Sequence, residues 1–194
     1  MDLPALVLAV RDEIEEGFGC LSCINAVAAL VDVAEKFGEV VSPFTVRLIV
    51  HNPALTERAG HPAGRDFEEN LHRWLAAEGS FRHAVGIGDA PPGHWGGHLV
   101  GMADSGERNK WLLVDPTIQQ AEVPHQGIVL DPVIVEIDRS YPEEGKVAWW
   151  NFNGCLAMYK FFPRDESFRE TSAWTNMGQR RSVRDRVLER LRNA

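Results

Sequence analysis

The chain has 194 residues, of which 44% are hydrophobic and 25% are charged, close to the averages for soluble globular proteins. Asp and Glu total 28 against 20 Lys and Arg, which gives a net charge of -8. Because nucleic acids and anionic membranes are bound through cationic faces, this balance argues against both as partners. The length predicts a single domain over residues 1–194.

The cysteine content and the absence of a long apolar segment indicate the compartment. Three cysteines are too few for a disulfide scaffold, so we expect reduced thiols. The apolar stretch near the N-terminus is broken by Arg11 and Asp12, after too few residues for a signal peptide or a membrane span. These features predict a soluble, cytoplasmic protein.

The first half of the chain predicts three helices and one strand. Apolar residues recur at helical spacing over 4–16, 22–37 and 66–77, and glycines follow the first two of these segments. Residues 44–51 alternate in polarity and are rich in branched side chains, which predicts a strand. The segment 54–66, with Pro and Gly interspersed, predicts a loop.

The second half predicts antiparallel strands followed by a helix. Six strands are predicted, at 81–87, 98–103, 110–115, 133–137, 147–152 and 156–162. A polar turn over 104–109 joins two of them into a hairpin, and residues 182–192 return to a helical pattern. Helices first, then antiparallel strands, then a terminal helix predict an α+β fold.

The C-terminal helix carries an uneven share of the positive charge. Its arginines face only two nearby acidic residues, so the segment is interpreted as a solvated basic helix or as a docking site for an acidic partner. The arginines are Arg180, Arg181, Arg184, Arg186, Arg190 and Arg192.

Cys23 lies where a glycine-rich turn gives way to the second predicted helix. Free amides at a helix N-terminus favour a thiolate over a thiol, and they can donate to an oxyanion when the sulfur attacks a carbonyl. Cys20 precedes the helix and need not share that field. A lone cysteine is more often a small buried hydrophobic residue than a nucleophile, so this interpretation needs partners for Cys23.

His98 and Asp115 are the candidate partners. His98 opens one strand of the predicted hairpin and Asp115 closes the other, so both side chains are expected at the same end of the sheet. A thiol enzyme needs this combination, because the imidazole takes the proton from sulfur and later protonates the leaving group. The carboxylate fixes the tautomer and orientation of the imidazole. Alone, each residue is equally consistent with an ordinary strand end or turn.

The pattern resembles the transglutaminase-like superfamily of thiol peptidases, amidases and acyl-transfer enzymes, which have a papain-like fold and a Cys-His-Asp triad. In that family the nucleophile begins a helix rich in small residues that ends at a glycine, as the segment from Cys23 to Gly38 does. The family histidine begins a strand, and its aspartate ends the next strand in an Asp-Pro-Thr-like turn, which His98 and the tripeptide at 115–117 match. The resemblance covers about 17–118. It implies a nucleophile helix packed on an antiparallel sheet.

The resemblance and the residues together predict a thiol enzyme that acts on a peptide, a protein or a small acyl or amide substrate. Cys23 is the expected nucleophile, His98 the general acid and base, and Asp115 its orienting residue. Water would resolve the thioester in a peptidase or amidase, and an amine would resolve it in an acyltransferase. This chemistry requires no cofactor.

Residues 86–97 are dense in Gly and Pro and predict a loop beside His98. His94 and Trp95 within this loop are candidates for lining the substrate entrance. A plain packing role for the two side chains remains open.

Two other functions use the same residues. Cys20 and Cys23 have the spacing of half a zinc site, and His94 and His98 offer two imidazoles, so the four could hold a structural metal ion. The two pairs are far apart in the sequence, which is unlike compact zinc modules. The chain could also be a catalytically silent member of the same fold that serves protein interaction.

Overall fold

The computed structural model describes residues 2–18, 22–78, 84–87, 95–144 and 146–193. The helices in this part of the chain are α1 (Leu3–Phe18), α2 (Cys23–Lys36), α3 (Pro53–Ala59), α4 (Phe67–Glu78), α5 (Ser140–Glu144), α6 (Ser172–Thr175) and α7 (Met177–Asn193). The strands are β1 (Val41–His51), β2 (Ala84–Ile87), β3 (His98–Asp104), β4 (Lys110–Asp115), β5 (Val133–Asp138), β6 (Val147–Phe152) and β7 (Cys155–Phe161). None of the described helices is long and apolar enough to cross a bilayer.

The strands form one sheet in which every pairing is antiparallel, in the order β5-β4-β3-β1-β7-β6. The long central strand β1 pairs with β3 along its first half and with β7 along its second half. β2 pairs with β1 on the same edge as β3, ending opposite Leu48, whereas β3 begins opposite Val46. The predicted α+β fold is confirmed.

Separate apolar clusters lie on the two faces of the sheet. Alternate residues of a strand point to opposite faces, and β1, β3, β4 and β5 contribute to both clusters. One face carries a cluster that includes Val46, Leu48, Val100, Leu113, Tyr159 and Phe161. On the other face α1, α2 and α7 pack on the sheet through a cluster that includes Leu6, Val10, Ile14, Leu30, Val114 and Val187.

Gly101 allows α2 to lie close to the sheet. A Cβ atom at this position would lie 2.8 Å from Cδ2 of Leu30 and 2.9 Å from Cγ1 of Val41, nearer than packed carbon atoms approach. Glycine therefore fits without a shift of either neighbour. The close contact holds the helix that begins with Cys23 against the strand that begins with His98.

The basic helix α7 is tied to the rest of the molecule by ion pairs. Arg180 binds both carboxylate oxygens of Asp32 on α2, and Arg186 and Arg190 both bind Glu13 on α1. Glu13 is 4% exposed, and a carboxylate so buried needs paired charges. Arg180, Arg186 and Arg190 thus fasten α7 to α1 and α2, although Arg186 remains exposed to solvent as the basic-helix interpretation predicts.

The loop predicted over 54–66 is wrong in its first half. Residues Pro53–Ala59 form α3, because Oδ1 of Asn52 accepts a hydrogen bond from the backbone amide of Leu55 at 2.9 Å and Pro53 occupies the first turn. The short helices α5 and α6 were also not predicted. Of the strand predicted at 81–87, Ala84–Ile87 form β2 and the preceding residues lie outside the described part of the chain.

Candidate active site

Cys23 is the first residue of α2. Ser22 is the N-cap, with extended backbone angles, and its carbonyl oxygen accepts from the amide of Ala26 at 2.9 Å. The Ser22 hydroxyl does not cap the helix and instead accepts from Nδ2 of Asn25 at 3.0 Å. The Ser22 hydroxyl therefore does not occupy the amides of the first turn, which lie at the end of the helix where positive potential is concentrated.

His98 and Asp115 meet at one end of the β3-β4 hairpin. Nε2 of His98 and Oδ2 of Asp115 lie 2.8 Å apart, and both side chains are completely buried. The β3-β4 register, with Gly101 opposite Val114, brings the last residue of β4 beside the start of β3. The predicted adjacency of the imidazole and the carboxylate is confirmed.

The Asp115 carboxylate accepts hydrogen bonds at both oxygens. The backbone amide of Thr117 donates to Oδ1 at 3.0 Å, and the Thr117 hydroxyl lies 3.5 Å from the same oxygen. The Tyr159 hydroxyl donates to Oδ2 at 3.0 Å and so shares that oxygen with His98. These donors fix the orientation of the carboxylate beside the imidazole. They also satisfy a negative charge that burial would otherwise make costly.

The site holds a proton on His98. Burial is the largest single effect on the pKa of His98 and lowers it, but the charge and hydrogen bond of Asp115, together with the neighbouring sulfur of Cys23, raise that pKa from 6.5 to about 10. Nδ1 of His98 is buried and has no partner of ordinary hydrogen-bond geometry among the described residues. Since Asp115 occupies Nε2, Nδ1 is the nitrogen left for the sulfur.

Trp95 connects the thiol to an open cavity of about 530 Å³. Trp95 packs into the small apolar cluster that contains Cys23 and Phe168, and its ring also lines the cavity. A Cβ atom on Gly97 would lie 2.2 Å from Cζ2 of Trp95, so the indole lies directly on the Gly97 backbone. Cys23 itself is 8% exposed. Other lining residues include Thr45, Arg47, Gly96, Asp165, Ser167 and Glu170.

The structure therefore brings together Cys23, His98 and Asp115, with Trp95 beside them. Cys20 and His94, the other two members of the hypothetical zinc site, lie outside the described residues. In the described ranges, no group of three His, Cys, Asp or Glu side chains could hold a metal ion.

Sequence reasoning missed Tyr159 and Phe168 as parts of this site. Tyr159 reaches Asp115 from β7, two strands beyond β3, and nothing in the local sequence indicates that contact. Phe168 lies in a 3-10 turn, Ser167–Glu170, and its ring packs against Trp95 with centroids 6.4 Å apart. The pairing of Ser22 with Asn25 could have been inferred from their three-residue spacing at a helix start.

Comparisons with known proteins add no family assignment. No protein-family model matches the chain, and no similar protein was found among curated proteins or solved structures. The resemblance to the transglutaminase-like superfamily stays a prediction.

Proposed function

We propose that this protein is a thiol enzyme in which Cys23 attacks an acyl or amide substrate and forms a thioester. The observation that carries the proposal is the position of the His98 ring between the Asp115 carboxylate and the Cys23 sulfur, with the sulfur at the start of a helix. A structural role for any one of these residues requires no such alignment. The three together match the roles of nucleophile, acid and base, and orienting residue.

The reaction follows from the protonation of the site. The Cys23 thiolate attacks the substrate carbonyl carbon, forming a carbon–sulfur bond, and the carbonyl oxygen becomes an oxyanion. Collapse of this intermediate breaks the bond to the leaving group, which takes the proton from Nδ1 of His98. Water or an amine then attacks the thioester, giving its proton to Nδ1, and the sulfur leaves as thiolate. Asp115 accepts the hydrogen bond from Nε2–H throughout and keeps the ring oriented.

The start of α2 supplies the groups that would stabilise the oxyanion. The amide of Cys23 belongs to the first turn, where amides have no partner within the helix. Because the Ser22 hydroxyl is directed to Asn25, it does not compete for these amides. Donors fixed in this way cost no reorganisation when negative charge develops on the substrate.

The cavity beside Trp95 is the proposed entrance for the substrate. Its lining combines the carboxylates of Asp165 and Glu170 with the guanidinium of Arg47, and Trp95 shares a cluster with Cys23. Such a polar surface suits a peptide or another amide better than a purely apolar acyl chain. The proposed substrate class is therefore a peptide or another amide. Hydrolysis and acyl transfer share every step up to the thioester.

A small activated ester tests the proposal directly. With p-nitrophenyl acetate we expect a burst of p-nitrophenol equal to one site per chain, together with one acetyl group on Cys23 in peptide mass spectra. Cys23→Ser should lose both the burst and the label. Cys155→Ala is the matched control, because Cys155 is a second buried thiol whose pKa is raised by burial. It should keep the burst.

Peptide mapping also separates the other candidate functions. Acetylation on Cys20 instead of Cys23, or equal labelling of all three thiols, would refute the proposal. No burst from the native protein would favour the catalytically silent fold. One equivalent of bound zinc in the purified protein, removed by Cys20→Ser, would favour the metal site. Added primary amines that shorten the lifetime of the acetylated protein would indicate acyl transfer over hydrolysis.

A further inference from the structure

The hydroxyl of Tyr159 and the imidazole of His98 share one oxygen of Asp115. Nε2 of His98 lies 2.8 Å from Oδ2, and the Tyr159 hydroxyl lies 3.0 Å from the same atom. All three side chains are completely buried, so water does not compete for the oxygen. The contact crosses from β7 to β4, which are separated by β1 and β3 in the sheet.

Two donors on one carboxylate oxygen weaken each other. Each hydrogen bond withdraws electron density from the oxygen, so the second donor meets a less basic acceptor. Among the described residues, the titratable groups around the ring are Cys23 from α2 and Asp115 from β4, with Tyr159 from β7 on the carboxylate. β1 places the apolar Val46 opposite His98. Tyr159 is therefore placed to adjust how strongly Asp115 holds the imidazolium.

We propose that Tyr159 is a positioning residue whose hydroxyl limits the basicity of Asp115 and thereby allows His98 to release its proton to the leaving group. The inference rests on the proposed function, because the proton matters only if His98 acts as an acid. Without this limit the imidazolium would be held too tightly to protonate a departing amine. Burial and the Asp115 charge raise the pKa of Tyr159 well above 10, so the hydroxyl remains a donor at any working pH.

A merely structural role for the hydroxyl makes a different prediction. The Tyr159 ring belongs to the main apolar cluster and packs edge-on against Trp150 at 5.8 Å, and a buried hydroxyl needs some acceptor. If that were its whole role, Tyr159→Phe would change the melting temperature and leave the titration of His98 unmoved.

The test is a titration of the His98 ring by NMR in the native protein and in Tyr159→Phe, with His98→Gln used to assign the resonance. We expect the midpoint to move upward by about one pH unit, the order of one hydrogen bond to a charged group. The alkaline limb of Cys23 alkylation should move in the same direction. An unmoved or lowered midpoint would overturn the inference.

Fluorination of Tyr159 should shift the His98 midpoint in the opposite direction without removing the hydroxyl. The sequence has only two tyrosines, so 3-fluorotyrosine incorporated into a Tyr141→Phe background labels Tyr159 alone. The fluorophenol is a stronger donor, and the His98 midpoint should then fall relative to Tyr141→Phe with ordinary tyrosine. A rise would contradict the inference.

Failure of this inference is distinguishable from failure of the proposed function. If the ester burst is absent while the His98 midpoint shifts in opposite directions in the two tyrosine variants, the proposed function fails and the coupling stands as a property of the buried network. If the burst is present while the midpoint is insensitive to Tyr159, the enzyme proposal stands and the role of Tyr159 is structural.

Discussion

His51 and His98 are both buried in the same sheet, yet their pKa values are shifted in opposite directions. His51, at the end of β1, is 1% exposed, and burial lowers its pKa from 6.5 to about 4. His98 is 0% exposed, and there the carboxylate of Asp115 and the sulfur of Cys23 outweigh burial and raise the pKa to about 10. The ring of His51 stacks on Phe67. A buried histidine is thus neutral beside an aromatic ring and cationic beside a carboxylate.

The two histidines also affect the stability of the fold at opposite ends of the pH range. The raised pKa of His98 contributes stability that is fully present below pH 6.5 and is lost as the pH rises toward 10. The lowered pKa of His51 contributes stability that is present above pH 6.5 and is lost as the pH falls toward 4, because the unfolded chain then binds the proton more readily. The comparison therefore predicts a separate effect of each histidine on stability.

The largest effect is expected from Asp115→Asn, which makes the surroundings of His98 like those of His51. Without the carboxylate, burial dominates, and the pKa of His98 should fall from about 10 to below 6.5. Acetylation of Cys23 at neutral pH should slow by on the order of 10⁴-fold, the size of the loss when a triad carboxylate becomes an amide. Stopped-flow measurement of the p-nitrophenol burst provides the rate.

Asp138→Asn is the matched control for this change, because Asp138 is an exposed carboxylate on β5 that pairs with Lys110 at 3.6 Å. It should leave the burst unchanged, since exposed ion pairs contribute little. Equal rates for Asp115→Asn and the native protein would show that the carboxylate does not set the protonation of His98.

A smaller effect is expected from His51→Gln, which removes the other titrating ring. The 2.5-unit difference between 6.5 and about 4 corresponds to about 3 kcal/mol of stability lost by the native protein once the pH is below 4. The variant should lack this part of the acid dependence while keeping the alkaline dependence due to His98. Urea unfolding at several pH values measures both limbs, and an unchanged acid limb would contradict the neutral state of His51.

The smallest effect is expected from Thr117→Val. This change removes only the hydroxyl 3.5 Å from Oδ1 of Asp115 and keeps the backbone amide that donates to the same oxygen at 3.0 Å. We expect the NMR midpoint of His98 to change by less than about half a pH unit, since a long hydrogen bond is weak. A shift as large as that of Asp115→Asn would mean that the side chain, and not the amide, fixes the carboxylate.

The parts of the site that could be predicted from sequence are those governed by local signals. Cys23 follows two closely spaced glycines in the sequence and begins an amphipathic helix, so its position at a helix start could be predicted. His98 and Asp115 are 17 positions apart, and the intervening segment is one hairpin with a polar turn. Strand alternation and turn composition thus sufficed to place the imidazole beside the carboxylate.

The features that sequence reasoning missed depend either on long-range geometry or on a helix N-cap that was not recognised. Tyr159 is 44 positions from Asp115, and their contact requires the sheet to curve across β3 and β1, which no local pattern specifies. The α3 helix is different. Asn52 followed by Pro53 is an ordinary helix start, and the surrounding prolines and glycines obscured it.

The fastening of α7 to the earlier helices has a consequence for the order of events during synthesis. Glu13 and Asp32 are made early, whereas the arginines that neutralise them follow more than a hundred positions later. On the ribosome both carboxylates must therefore remain hydrated, because burying either one unpaired is too costly. We therefore expect α1 and α2 to complete their packing around these carboxylates only once α7 has emerged.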